Sequence, residues 1–543
     1  MRLLAVSDLQ GNWAALDHIV AQNPNVDAIV HTGNLGFWDS STVESASDVN
    51  YLKQIVAFSE VLPKEVVAEL NDLSTINSAQ DLGTTNSVLA VFKSKLLSET
   101  PLEHLQQYMS GQRKLPCPLY TTIGSLDDPY IVERFVKGEW RIPQLHILDH
   151  THSYLLEPEN SNAPPIRLYG IGGNLNVHSL FDSGKLGLDS VAGKVGDLWI
   201  TLAQVAQLYV HMKSRRESAI NVFVSHSPVM KNPLIEHLAI VTGADYTISQ
   251  GLHFRYPVSG NGMSFVESMG GSAGYIENYR SKFSRLRMIL GELWVIIKED
   301  VARVLDMAEN AELKRLIELG LSVFDKIPIT INDTTEKIIR LTLYDDDEDE
   351  EDIDTSKQTL KKINDMYFAA YYNLWHFNLC DYMIREEEDD EEEEYNVMIF
   401  RLKKNGNLAL EQCRSSGFNF SNNKKNELPE EEALDSYEEC DPAEEALRRT
   451  KDLLNSTSFN GNRNQGQSSL RGGLRGGFQP RSSVALDEVV LDSVCDPEPH
   501  GGAKELSAPV SFRLDVGFGR SGVANELGDV VGSHLLEAFD GGG

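Results

Sequence analysis

Five stretches of the chain place polar, chemistry-bearing residues directly after apolar runs. Ser7-Asp8-Leu9-Gln10 follows Leu3-Leu4-Ala5-Val6, and Thr32-Gly33-Asn34 follows Ala28-Ile29-Val30-His31. Gly124-Ser125-Leu126-Asp127-Asp128 follows the run ending at Ile123, Ser225-His226-Ser227 follows the run ending at Val224, and Gln250-Gly251-Leu252-His253 follows Tyr246-Thr247-Ile248. Short apolar runs cut off by polar residues read as buried strands. An open α/β sheet gathers the C-terminal ends of its strands at one edge, where such folds bind ligands. Asp8, Asn34, Ser125, His226 and His253 are therefore expected to converge on one rim.

Plainer roles compete for several of these residues. Asp8 is also a good helix cap for the segment that begins near Gly11. His31 sits inside an apolar run and reads as a core histidine. Gly172-Gly173-Asn174 reads as a tight strand-to-loop turn more than as a phosphate cradle. Nothing in the sequence fixes where His178 faces.

The elements that must position these residues fall into three parts. Residues 1–290 alternate strand-like and helix-like segments, which argues an α/β layered domain; residues 40–115 interrupt it as a long helical insertion. Residues 291–420 combine a helical stretch, whose heptad-like start at Tyr279 reads as two helices up to Asp325, with acidic loops and a small β module. In that module Tyr367–Asp381 and Tyr395–Cys413 read as strands, with a turn at Asn405-Gly406. Residues 421–543 are polar and rich in Gly, Ser and Asn, so a disordered tail is the default.

The chain has 543 residues and a net charge of −32. That charge is concentrated: nine carboxylates lie between Asp345 and Asp354, and nine more run without a break from Glu386 to Glu394. Such runs read as solvated, self-repelling loops. The five cysteines (Cys117, Cys380, Cys413, Cys440 and Cys495) are scattered and odd in number, which fits a reducing intracellular setting, cytoplasmic or nuclear. The N-terminal apolar run is too short for a signal peptide, and no stretch approaches a membrane span.

In order and spacing these stretches resemble the calcineurin-like metallophosphoesterase superfamily, whose motifs are D-x-H, G-D-x-x-D, G-N-H-D/E, a lone H after a strand, and G-H-x-H. TGNLGFWD, VSHSP, ADYTISQGLHFRY, YYNLWHFNL and SSGFNF are similar to a fungal branch of it. The likeness spans residues 1–420. It implies a four-layer α/β sandwich in which two metal ions polarise a phosphate ester for attack by a bridging hydroxide.

Matched residue by residue, the pattern is degraded. Asp8 and His226 keep the first ligand and the lone histidine, and Gly251-Leu252-His253 keeps one histidine of the final pair. Gln10 replaces a histidine, Asn34 the metal-bridging aspartate, Ser125 an asparagine ligand and Leu126 the catalytic histidine. A neutral amide offsets no charge between two cations, and leucine cannot serve as a general acid, a role worth about 10²–10⁴-fold. The resemblance therefore implies a catalytically impaired or inactive phosphoesterase fold that binds a protein or phosphorylated ligand in its cleft.

Two further expectations follow. Asp8, His226 and His253 form a two-histidine, one-carboxylate set that one divalent metal, manganese, iron or zinc, accepts, which would support a working hydrolase. Arg471 and Arg475 belong to a pair of RGG boxes, Arg471-Gly472-Gly473-Leu474-Arg475-Gly476-Gly477. Arginines on a glycine chain stack on unpaired bases and contact phosphates, so the tail reads either as an RNA-contacting segment or as a disordered linker of chance composition.

Overall fold

The computed structural model describes residues 1–421 apart from 77–84, 159–162, 185–191, 251–257, 263–271, 328–349, 381–394 and a few single or paired positions. His253, the second acidic run, Arg471 and Arg475 lie outside the described residues.

The chain begins β1 (Arg2–Val6), α1 (Ala15–Gln22) and β2 (Ala28–His31). The expected insertion follows as α2 (Ser40–Ser45), α3 (Val49–Phe58), α4 (Lys64–Ile76), α5 (Thr85–Glu99) and α6 (His104–Met109). Then come β3 (Leu119–Thr121), α7 (Pro129–Val136), β4 (Leu145–Ile147), β5 (Tyr154–Leu156), β6 (Ile166–Ile171), β7 (Ala192–Lys194) and β8 (Asp197–Trp199). These lead into α8 (Leu202–Lys213), β9 (Ile220–Ser225), α9 (Pro233–Thr242), β10 (Tyr246–Ser249) and β11 (Val258–Asn261). Last are α10 (Ser272–Leu305), α11 (Ala311–Phe324), α12 (Glu350–Asn373), β12 (Trp375–Asn378), β13 (Val397–Leu402), β14 (Leu408–Ser415) and β15 (Phe418–Ser421).

Two sheets carry the fold, and both are mixed. The first has the order β15-β14-β13-β1-β2-β3-β4, and the second β11-β12-β10-β9-β6-β5. Strands β1 to β4 run parallel, as do β6, β9, β10 and β12. Side chains alternate across a strand, so each central strand divides between two apolar clusters. In β1, Leu3 and Ala5 join one cluster while Leu4 and Val6 join another. The Leu3–Ala5 cluster also takes Leu168 of β6, Val222 and Val224 of β9 and Phe377 of β12, so both sheets contribute to it. The Leu4–Val6 cluster includes Leu16 of α1, Tyr108 of α6 and Ile131 of α7. Phe223 of β9 points the other way, into a cluster with α8, α9, α10 and α11. The insertion has its own core around Trp38, Leu52, Leu70, Phe92 and Leu96.

Three expectations for residues 291–420 are corrected. The β-rich part forms no sheet of its own. Strand β13 pairs antiparallel with β1, placing Arg2 opposite Arg401 and Ala5 opposite Met398; β12 pairs with β10 in the second sheet. Tyr367 to Asn373 also belong to α12 rather than to a strand, because the buried Ile363 and Tyr371 and the partly buried Tyr367 recur at helical spacing. Glu350 to Asp354 open the same helix instead of forming an extended loop, and acids are favourable at the positive end of the helix dipole. The Asn405-Gly406 turn stands, with Lys403 and Asn407 joined across it and Gly406 at φ 86°. No helix among the described residues is long and apolar enough to cross a membrane.

Candidate functional site

Register brings the strand ends together. Val6 pairs with His31 and His31 with Thr121 in the first sheet; Ile171, Ser225, Ser249 and Asn378 line up across the second. The residues that follow these ends form one hydrogen-bonded rim.

Asp8 stands at its centre, 6% exposed. It is not a helix cap, since α1 starts at Ala15 behind Ala14. Its carboxylate accepts from Ser7 Oγ at 2.5 Å, from Asn34 Nδ2 at 2.9 Å, and from Gln250 Nε2 at 2.5 Å to each oxygen. Asn34 turns its other end to the next loop, where Oδ1 accepts from Leu126 N at 3.0 Å. Leu126 follows Ser125, whose Oγ lies 3.2 Å from His226 Nε2. His226 Nδ1 is 3.1 Å from the Thr32 carbonyl. A carbonyl only accepts, so Nδ1 carries the proton and Nε2 accepts from Ser125.

The structure therefore joins Asp8, Asn34, Ser125, Leu126 and His226 in one chain of contacts across loops of both sheets. Gln10 lies in the same loop as Asp8, and its backbone N–H donates to Asn34 O at 3.0 Å. His253 lies outside the described residues, so the expected three-residue metal set is described only at Asp8 and His226. His31 is a fully buried core residue, 2.9 Å from Thr121 Oγ1.

The loops are held by close backbone approach. Gly11 N donates to Leu35 O at 3.0 Å, beside the Gln10–Asn34 bond. A Cβ at Gly124 would lie 2.0 Å from both Asn34 N and Asn34 Oδ1, so only glycine fits there. Asp8, Gln10 and Asn34 all have left-handed backbones, with φ of 57°, 48° and 57°. Each such non-glycine conformation costs on the order of 1–3 kcal/mol and persists where its surroundings over-determine it.

Three supports were not legible as site residues in the sequence. Asp127, 1% exposed, accepts N–H groups of Gly36 and Phe37 at 3.1 Å and of Gly124 at 2.7 Å. Burial raises its carboxyl above the usual range against the lowering pull of those bonds. Two come from the insertion: Tyr51 OH donates to Leu126 O at 3.1 Å, and His104 Nε2 donates to Gly36 O at 2.8 Å. Gln250, the donor to Asp8, is a fourth residue the motif order did not single out. Its signal was its place one residue past an apolar strand.

Burial pushes the His226 imidazole down to about 4, and burial together with the neighbouring His226 pushes His31 down to about 3. Both rings are neutral near pH 7. A serine 3.2 Å from a histidine invites comparison with a nucleophile and its base. Here the imidazole is oriented by a backbone carbonyl rather than a carboxylate, and burial lowers its basicity. The Asp8 carboxylate accepts from two amides, Asn34 Nδ2 and Gln250 Nε2.

Comparisons with known proteins touch parts of this fold. No curated protein matches the chain. A solved crystal structure is similar at 14% identity over 46% of this chain and 82% of its own, with a TM-score of 0.27. A family model described as a protein of unknown function (DUF2433) matches residues 256–423, the segment that supplies β11 to β15 and α10 to α12.

Proposed function

We propose that this chain is a calcineurin-like phosphoesterase-fold protein, a four-layer α/β sandwich, that has lost metal-dependent catalysis and acts as a binding scaffold for a protein or a phosphorylated ligand at its rim. The arrangement of apolar clusters, one fed by both sheets and two by a sheet with its helices, supports the sandwich. One observation carries the loss of catalysis. Asn34 donates to Asp8 and accepts from Leu126 N, a pairing that needs an amide with both donor and acceptor. An aspartate there would set two carboxylates against each other without a cation between them. Leu126 offers no proton to a leaving group, which removes a contribution of about 10²–10⁴-fold.

The test is hydrolysis of a phosphomonoester and a phosphodiester with and without added Mn²⁺. No turnover above the buffer rate is expected in either. Turnover that Asp8→Ala abolishes would overturn the reading.

A further inference from the structure

The contacts of Gln250 go beyond lost ligands. Its Nε2 lies 2.5 Å from both carboxylate oxygens of Asp8, the two-oxygen approach that a bound cation makes. The amide can present only its nitrogen there, because its oxygen would meet a carboxylate. The side chain is 93% buried, given its 7% exposure. Its Oε1 is buried with no hydrogen-bond partner among the described residues. The carboxamide is thus oriented by Asp8, and its oxygen is left orphaned, an unfavourable state for a buried polar atom. Asn34 Nδ2 reaches Asp8 Oδ1 from the neighbouring loop at 2.9 Å. Hydrogen bonds to an ionised acceptor are roughly twice as strong as neutral ones.

We infer that the carboxamides of Gln250 and Asn34 take the place of a divalent cation on Asp8, so that this rim is held closed by amide donors and excludes metal. This rests on the phosphoesterase-fold reading only for identifying Asp8 as a cation position. Gln250 is assigned as a positioning residue that donates to the Asp8 carboxylate from the second sheet.

The experiment compares melting temperatures in EDTA and in Mn²⁺ for the wild type, Asn34→Asp and Gln250→Glu, with metal content measured on each. Both substitutions are isosteric and replace a donor to Asp8 with a second carboxylate. The wild type is expected to melt at the same temperature in EDTA and in Mn²⁺. Each variant is expected to melt several degrees lower in EDTA and to recover in Mn²⁺, because a cation then relieves the repulsion. Variants that melt like the wild type in EDTA, or that Mn²⁺ leaves unrescued, would overturn the inference. The wild-type arm decides alone if a variant does not fold. A wild type stabilised by Mn²⁺ without hydrolysing phosphate esters overturns the inference and leaves the scaffold reading standing. One that binds Mn²⁺ and hydrolyses them overturns both.

Discussion

At Asp127 one carboxylate serves three N–H groups from two loops, those of Gly36, Phe37 and Gly124. Removing it leaves three buried donors without an acceptor, each costing about 1–3 kcal/mol. Asp127→Ala is therefore expected to lower unfolding free energy by about 3 kcal/mol or more, measured by urea denaturation; a loss under about 1 kcal/mol would show that the loops find other acceptors. The sequence shows Asp127-Asp128 only as two acids past a strand. What fixes the role of Asp127 is its meeting with backbone groups about ninety positions away, which no local pattern encodes. Asp8, Asn34, Ser125 and His226 were legible because each ends an apolar run. The role of Gln250 has no local signal, because it lies in a reach to Asp8, 242 positions away.

Elements were legible where periodicity and burial agree. The central strands β1, β2, β3, β6 and β9, the helical insertion and the pair α10 and α11 follow from their apolar patterns. Helix α12 did not, because its aromatic residues suit strands as well as helices, and packing on α9 and β11 decides. The turn between β4 and β5 gives an element-scale prediction. Asp149, 4% exposed, accepts from Thr151 N, Thr151 Oγ1, His152 N and His152 Nδ1. Burial opposes ionisation, but the His152 bond and the nearby His150 and His152 pull the carboxyl down to about 2 from an ordinary 3.8. The folded state thus holds its proton less tightly than the unfolded chain. The turn's contribution is complete above about pH 4 and is lost as pH falls toward 2, a change of about 2 kcal/mol. Asp149→Asn should lack that acid-limb loss when stability is compared at pH 5 and pH 2. An identical slope in both proteins would contradict the assignment.

Across the whole molecule, the C-terminal strands are structural partners of the first strand in the chain. Strand β13 lies between β14 and β1, and Val397, Ile399, Met398 and Phe400 feed clusters on both faces of that sheet. Truncation before Tyr395 would leave β1 as an unpaired edge with apolar faces on both sides. Loss of cooperative unfolding by circular dichroism is expected, and a truncated chain that melts like the full one would show β13 to be dispensable. Sequence alone suggested a separate β module here, since pairing between positions 2 and 401 leaves no local trace. Beyond the strand ends of both sheets, the rim loops are joined by Asp8–Gln250 and Ser125–His226 contacts. On the proposed reading, amide donors stand where a metal would. The most direct measurement is the metal content of the full chain purified without chelator or added metal. Far less than one transition-metal ion per chain is the expected result, and one or more ions bound per chain would contradict it.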